Sequence, residues 1–104
     1  MAKYILVFRS KSDWSTLPKD QIEKVMQAWG EWVGTMTRVI VDKGETFKPS
    51  GKEVSPDGVG NTKDFLSGYI IVEAKDFDEA LAIAQSSPTV ERGGVVQVYE
   101  AFGV

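Results

Sequence analysis

Apolar and polar residues along the chain predict four strands and two helices. Residues 4–9 form a short apolar run, typical of a strand with both faces covered. Pro18 then stands at a position favoured in the first turn of a helix. Beyond it, apolar side chains recur at spacings of three and four, at Ile22, Val25, Met26, Trp29, Val33, Met36 and Ile40. The spacing predicts a long amphipathic helix ending at about residue 38 to 43, because the β-branched residues 39–41 also suit a strand.

The second half of the chain holds three more predicted strands and one helix. Asp76 is a predicted N-cap, and Glu79 three residues later completes a pattern like a capping box. Pro88 marks the end of that helix. In chain order, the predicted segments are a strand beginning at 46–48, a turn at 49–51, a return arm at 52–54, a loop at 55–63, a strand at 65–74, a helix from 77 to about 86 and a strand at 95–102.

The order of these elements is β–α–β–β–α–β, which predicts an α+β domain with the ferredoxin-like fold. In that fold, two right-handed β–α–β halves form one four-stranded antiparallel sheet with both helices on one face. A chain of 104 residues has the size of one such domain, so we expect a single domain over residues 1–104.

Both faces of the predicted sheet are apolar, although the helices cover one of them. Apolar side chains alternate on the two faces of the first and third strands, with Ile5, Val7, Phe65, Tyr69 and Ile71 set against Tyr4, Leu6, Phe8, Leu66, Ile70 and Val72. A patch of that size seldom stays exposed on a monomer. We therefore expect a homodimer. The alternative is that the long helix or the 50–63 loop folds over this face.

Composition argues against several classes of function. The net charge is −3 and Lys and Arg are not clustered, so nothing favours nucleic-acid binding. The absence of cysteine and histidine removes thiolate chemistry, zinc–sulfur sites and the commonest acid/base group at neutral pH. No apolar span has membrane length. We expect a cytoplasmic protein with no cofactor, no metal and no membrane partner.

Several segments resemble the YCII-related family, in particular its branch with the DGPF motif. The matching segments are Met26-Gln27-Ala28-Trp29 with Trp32 and Gly34, Pro49-Ser50-Gly51-Lys52, and the stretches at 62–69, 76–80 and 93–98. The resemblance covers nearly the whole chain and implies a dimeric α/β-barrel fold. It also implies relatives that use a His–Asp pair for acid/base chemistry, and one that removes chloride from a chlorinated hydroxyquinol.

Two departures from the family pattern bear on catalysis. The DGPF motif is present only as Asp57-Gly58-Val59-Gly60, without its Pro-Phe and one residue shorter. The family's His–Asp pair is ruled out because the sequence has no histidine. An acid or base in this chain would therefore be Glu73, Asp57 or a tyrosine.

Polar residues in the apolar strands are the candidate ligand-binding residues. On the face without helices, alternation groups Tyr69 and Glu73 of the third strand with Gln97 and Tyr99 of the last, and with Arg9 of the first. A carboxylate buried there would act as a base, and an arginine would orient an anionic ligand. The alternative is that Glu73 and Arg9 lie at strand ends and are solvated or paired.

Other polar and small residues have structural explanations that compete with functional ones. Asp57-Gly58 predicts a tight turn more readily than a ligand-binding loop. The acidic residues at 76–79 are accounted for by helix capping, so no metal site is assigned. Gly30 and Gly34 have the spacing of a helix-packing motif, and we expect them to bring the long helix close to the sheet.

The three tryptophans are candidates for a stacking site. We expect Trp29 in the core and Trp32 at the edge of a cavity, because Trp32 flanks the apolar helix face. Trp14 lies in a predicted loop and is the one expected to be free for a ligand or partner.

Three functions remain open from the sequence. The first is a dimeric domain that binds a small organic molecule in a cavity between the sheet and its partner. The second is a small acid/base enzyme, of isomerase or lyase type, acting on a cyclic substrate. The third is a structural or interaction module. A cavity with convergent polar groups favours the first two over the third.

Overall fold

The computed structural model describes residues 1–48 and 50–103, which form one antiparallel sheet with helices on one side. In chain order the elements are β1 (Ala2–Arg9), a 3₁₀ turn (Trp14–Thr16), α1 (Lys19–Gly34), β2 (Ile40–Asp42), β3 (Lys52–Ser55), β4 (Gly58–Asn61), β5 (Leu66–Ala74), α2 (Phe77–Gln85), α3 (Pro88–Glu91) and β6 (Val95–Glu100). The strand order is β2-β5-β1-β6, and β3 pairs with β4 as a separate hairpin. The predicted α+β, ferredoxin-like fold is confirmed.

The core lies between the two central strands and the helices. Side chains of β1 alternate between buried and half-buried, with Tyr4, Leu6 and Phe8 on the buried face. The Tyr4 ring packs edge-on against Phe77 of α2, with ring centroids 5.3 Å apart. Phe8 packs in the same way against Trp29 of α1, at 4.7 Å. The period-two pattern therefore places one face of β1 under both helices.

The opposite face of the sheet is not covered by any of the described residues. The described residues extend 40 × 38 × 20 Å, and 20 Å is the depth of one sheet and one layer of helices. The apolar Ile5, Val7 and Ile71 lie half-buried on that face. The long helix packs on the other side, and every residue from 52 to 61 is exposed. In the described part of the chain, neither the long helix nor the hairpin at 52–61 therefore folds over this face, as the alternative to a dimer required.

The first helix is shorter than predicted. It ends at Gly34, not between residues 38 and 43. The Thr35 hydroxyl donates to the Trp32 carbonyl oxygen at 2.6 Å, and consecutive turns follow as far as Val39. Met36 is nevertheless 8% exposed, so it fills the position that the helical spacing predicted without being in the helix. Glycine followed by a β-branched stretch weakens a helix enough for turns to replace its last residues.

The second strand also begins earlier than predicted. It is β2, which pairs with β5 through Ile40, opposite Val72. Thr46, where the sequence placed the start, forms a single bridge to Gly68. Between the two, the Glu45 carbonyl oxygen accepts from the Tyr69 amide at 3.3 Å. One segment thus follows the edge of β5 in two short pieces with an irregular stretch between them.

The segment predicted as a loop at 55–63 contains a strand. Residues of β4 pair antiparallel with the predicted return arm, which is β3, and the register joins Ser55 to Gly58. Pro56 and Asp57 make the tight turn between them, and Gly58 has a positive φ of 125°. Composition indicated the turn correctly but hid the strand, because two glycines in four residues lower strand propensity. The predicted turn at 49–51 includes Pro49, which lies outside the described residues.

The second helix begins where the sequence predicts. The Asp76 carboxylate accepts a hydrogen bond from the Glu79 amide at 2.9 Å, as an N-cap does. Pro88 follows the end of α2 and is itself the first residue of α3. The last strand ends at Glu100 instead of residue 102, and one further backbone hydrogen bond follows it, from the Ala101 amide to the Lys3 carbonyl oxygen at 2.8 Å.

Candidate functional site

Three aromatic rings fill the space between α1 and the carboxyl end of β1. Trp29 and Trp32 pack edge-on at 5.2 Å, and the Phe8 ring lies 4.7 Å from the first and 5.9 Å from the second. The Trp32 indole N–H donates to the Ser86 hydroxyl at 2.8 Å, which joins α1 to the end of α2. This bond satisfies the polar end of a side chain that is 8% exposed.

A cavity of about 500 Å³ opens beside this cluster, between α1 and the helix-facing side of the sheet. Its walls are mainly aromatic and aliphatic, and include Phe8, Trp14, Trp29, Met26 and Ile70. Met26 is 51% exposed, so the cavity reaches the surface along α1. A volume of this size lies within the range of ligand sites in proteins.

Trp14 forms part of the cavity wall because its turn is capped. The Asp13 carboxylate accepts from the Ser15 amide at 2.9 Å and from the Ser15 hydroxyl at 2.6 Å. The Thr16 hydroxyl donates to the Asp13 carbonyl oxygen at 2.8 Å. These bonds close the 3₁₀ turn that carries Trp14, and its availability to a ligand stays a prediction.

The first helix contributes open space as well as side chains. Gly30 lies in the cavity wall, and a Cβ atom added there would meet no atom within 4 Å. The same is true of Gly34, which does not line the cavity. The expectation that these glycines pack closely on the sheet is therefore wrong. At Gly30 the missing side chain leaves room beside the cavity.

Charged and hydroxyl groups stand at one end of the cavity. The charged residues that line it are Lys11, Lys43, Arg92 and the acidic Glu45. All four are exposed, so they surround its opening to solvent. Thr89 lines the wall further in and is 7% exposed. The arrangement is a mainly apolar chamber with a polar rim, as is common in small-molecule sites.

The five predicted ligand-binding residues do not converge on this cavity. All five lie on the opposite face of the sheet, where Tyr69 stands opposite Val7, although Tyr69 also belongs to the stretch of β5 that borders the cavity. There Gln97 stands opposite Val7, Tyr99 opposite Ile5 and Glu73 opposite Lys3. The alternation that grouped them is observed. A role in ligand binding stays a prediction for all five.

Arg9 is engaged by neighbouring side chains. Its Nε donates to the Gln97 side-chain oxygen at 2.7 Å, and its Nη1 lies 2.8 Å from the Asp64 carboxylate. The paired arrangement that the sequence left as an alternative is therefore the one observed. The pair is partly exposed and contributes at most about 1 kcal/mol to stability.

The carboxylates considered for catalysis lie outside the cavity. Asp57 is at the exposed tip of the β3–β4 hairpin, and Glu73 is on the far face of the sheet. Asp76 caps α2. Among residues 1–48 and 50–103, no three acidic side chains come together as metal ligands would.

Tyr4 belongs to a second polar cluster, four residues along β1 from Phe8. Its hydroxyl donates to Glu100 Oε1 at 3.4 Å. Burial raises the pKa of the Tyr4 hydroxyl above its ordinary value of 10.0, and the negative charges of Glu100 and Asp76 add to the rise. Tyr4 does not line the cavity, so this cluster serves the fold.

The predictions for Trp29 and Trp32 were the reverse of what is observed, and no prediction identified the charged rim. Trp32 is the buried one, whereas Trp29 is half-buried and lines the cavity. A signal was present in the helix, where a glycine at position 30 interrupts the apolar face between Met26 and Val33. No local pattern marks the rim, because its residues come from three separate segments.

The fold is that of an α+β domain of ferredoxin-like topology, with a cavity between α1 and the sheet. The chain belongs to the YCII-related domain family, whose model matches residues 6–102. A solved structure with the same fold is 5-chloro-2-hydroxyhydroquinone dehydrochlorinase (TftG) from Burkholderia phenoliruptrix, in complex with 2,5-dihydroxybenzoquinone. The two chains are 19% identical, 90% of each is covered, and the TM-score is 0.50. A search of curated proteins gave no match.

The described part of the chain has no helix with the length and apolar character needed to span a bilayer.

Proposed function

We propose that this protein binds a small cyclic organic molecule in the cavity between α1 and the sheet. The cavity is the observation that carries the proposal. It offers about 500 Å³ beside Phe8, Trp14 and Trp29, three aromatic side chains that suit a flat apolar ring. The dehydrochlorinase of similar fold, solved with a dihydroxybenzoquinone, supports the proposal as a precedent for a cyclic ligand on this fold.

Binding without catalysis is the function we favour over acid/base chemistry. A catalytic acid or base must reach the reacting proton by a hydrogen bond. Glu73 and Asp57 do not line the cavity, and the acidic residue that does, Glu45, is exposed to solvent. We therefore place a catalytic function second, with Glu45 as its candidate.

We also propose that two copies pair through the face of the sheet opposite the cavity. Val95 and Tyr99 are each 57% exposed there, beside the half-buried Ile5 and Val7. A partner chain would remove this apolar strip from water. It would also surround Glu73, Gln97 and Tyr99, and these residues could line a ligand site only if a partner encloses them.

Two glycine substitutions in α1 test the binding function. A Phe at position 30 would fill the space that the glycine leaves at the cavity wall, so Gly30→Phe should abolish binding. Gly34→Phe adds the same ring to the same helix outside the cavity and should bind as the wild type does. Neither change introduces a contact under 4 Å at Cβ, so both variants should fold.

The indole signals of the nitrogen-15 NMR spectrum provide the readout. A panel of small cyclic acids, phenols and amides is titrated into the protein. Bound compounds should move the N–H signals of Trp14 and Trp29, which line the cavity, more than that of Trp32, which is bonded to Ser86. The proposal is wrong if no compound moves the first two signals, or if Gly30→Phe binds as tightly as Gly34→Phe.

A further inference from the structure

The rim of the cavity carries a net positive charge, whereas the net charge of the protein is −3. Lys11, Lys43 and Arg92 stand there against a single lining carboxylate, that of Glu45. In the whole chain, acidic residues outnumber basic ones by 15 to 12. Basic residues therefore predominate at the rim, although acidic residues predominate in the chain as a whole. A low-dielectric cleft of one sign attracts ligands of the opposite sign.

The three cations come from separate segments that the fold brings to one opening. Lys11 follows β1, Lys43 follows β2 and Arg92 follows α3. The stem of Lys11 runs along the glycine loop after α3, with its Cδ 3.5 Å from the point where a side chain of Gly93 would begin. Lys11 and Arg92 therefore share one side of the rim.

The rim cations also differ from Arg9 in having no acidic partner. Within the described residues, no carboxylate oxygen lies within 4.0 Å of the charged nitrogens of Lys11, Lys43 or Arg92, whereas Arg9 is held by Asp64 at 2.8 Å. A charge already engaged by a carboxylate must give up that partner before it can bind a ligand. The rim cations have no such partner to lose.

We propose that the ligand of this cavity is a cyclic anion, with its ring against the aromatic wall and its acidic group at the rim. The inference rests on the proposed binding function and adds the charge of the ligand to it. Phe8, Trp14 and Trp29 supply the apolar contacts, and Lys11, Lys43 and Arg92 supply charge-assisted hydrogen bonds to a carboxylate or enolate oxygen. Thr89, which is 7% exposed, also lines the cavity.

A pair of probes with the same shape and different charge tests this inference. We would measure the affinities of 2-naphthoate and of the neutral 2-naphthamide by calorimetry, with the indole NMR signals reporting the location. We expect the naphthoate to bind at least about tenfold more tightly at low salt. The advantage should shrink at about 1 M salt, where the Debye length falls to about 3 Å.

Variants that remove single charges test whether the rim cations cause the preference for naphthoate over naphthamide. Lys43→Met and Arg92→Met should each weaken naphthoate binding several-fold and leave naphthamide binding unchanged. Lys24→Met and Arg38→Met remove the same charges from exposed positions that do not line the cavity, and should change neither affinity.

The outcomes separate the two proposals. Equal affinities for the two probes at Trp14 and Trp29 would overturn the anion preference while leaving small-molecule binding intact. A preference for naphthoate that Lys24→Met weakens as much as Lys43→Met would also overturn it, because net charge and not the rim would then be responsible. If neither probe moves these two indole signals, the anion preference fails for this ring class, and the wider panel decides the binding function.

Discussion

The buried hydroxyl of Tyr4 links stability to pH. Because its pKa in the folded state lies above the ordinary 10.0, the folded protein keeps this proton at pH values where the unfolded chain has lost it. The resulting stabilisation is fully present below about pH 10 and is lost as the pH rises through the folded-state pKa. Nearby Glu100 and Asp76 would repel the phenolate.

Tyr4→Phe should remove this alkaline dependence. Phenylalanine keeps the edge-on contact with Phe77 but has no proton to lose. We expect the free energy of unfolding of the wild type to fall relative to that of Tyr4→Phe as the pH is raised above about 10. Urea unfolding of both proteins at neutral and alkaline pH measures the difference. Two curves that stay parallel across this range would contradict the prediction.

At the scale of single residues, the alternation of side chains along a strand predicted which face of the sheet each residue occupies. It did not predict which face has the cavity. The grouping of Tyr69, Glu73, Gln97 and Tyr99 follows from a period of two, which the backbone imposes locally. A cavity depends on the volume left between elements, and the sequence pattern does not contain that volume. Trp29 and Trp32 illustrate the same limit, because the hydrogen-bond partner of the buried Trp32 is Ser86, in a distant segment.

At the scale of elements, the chain between β2 and Thr46 shapes both the sheet edge and the cavity. Gly44 has a φ of 65°, and a Cβ added to it would overlap the carbonyl oxygen of Tyr69. Only glycine fits this close approach of the segment to β5. The rim residues Lys43 and Glu45 flank it, so the position of the rim depends on this contact.

Gly44→Ala should therefore be strongly destabilising. A left-handed conformation and a steric overlap together should cost at least about 2 kcal/mol of unfolding free energy. Gly60→Ala is the matched control, because a Cβ there meets nothing within 4 Å and φ is not positive. Its effect should stay within about 0.5 kcal/mol. Chemical denaturation measures the free energy of unfolding of both variants. Similar losses of stability in Gly44→Ala and Gly60→Ala would contradict the steric role given to Gly44.

Element boundaries were predicted well where a capping residue fixes them and poorly elsewhere. Asp76 marks the start of α2 because its side chain replaces a missing backbone partner. After Gly34 no such signal exists, and residues that suit helix, turn and strand follow one another. The outcome there is decided by pairing with β5, which lies some thirty residues further along the chain.

At the scale of the whole molecule, the two faces of the sheet have different tasks. One carries the core and the cavity, and the other presents an apolar strip that the described residues leave open. Sequence alternation revealed the strip, because apolar residues on both faces of β1 and β5 cannot all reach one core. The proposed dimer follows from that excess, and the cavity does not need it.

A charge placed on the open face should separate the proposed dimer. Val95 is 57% exposed in the single chain, so Val95→Lys should leave each protomer folded. In a dimer it would bury an ammonium group beside Arg9, which is unfavourable without a partner carboxylate. Val59→Lys introduces the same charge on the hairpin, at a residue that is 72% exposed.

We expect analytical ultracentrifugation to give twice the chain mass for the wild type and Val59→Lys, and the single-chain mass for Val95→Lys. A monomeric wild type, or a dimer that Val95→Lys leaves intact, would show that another surface or no surface pairs the chains.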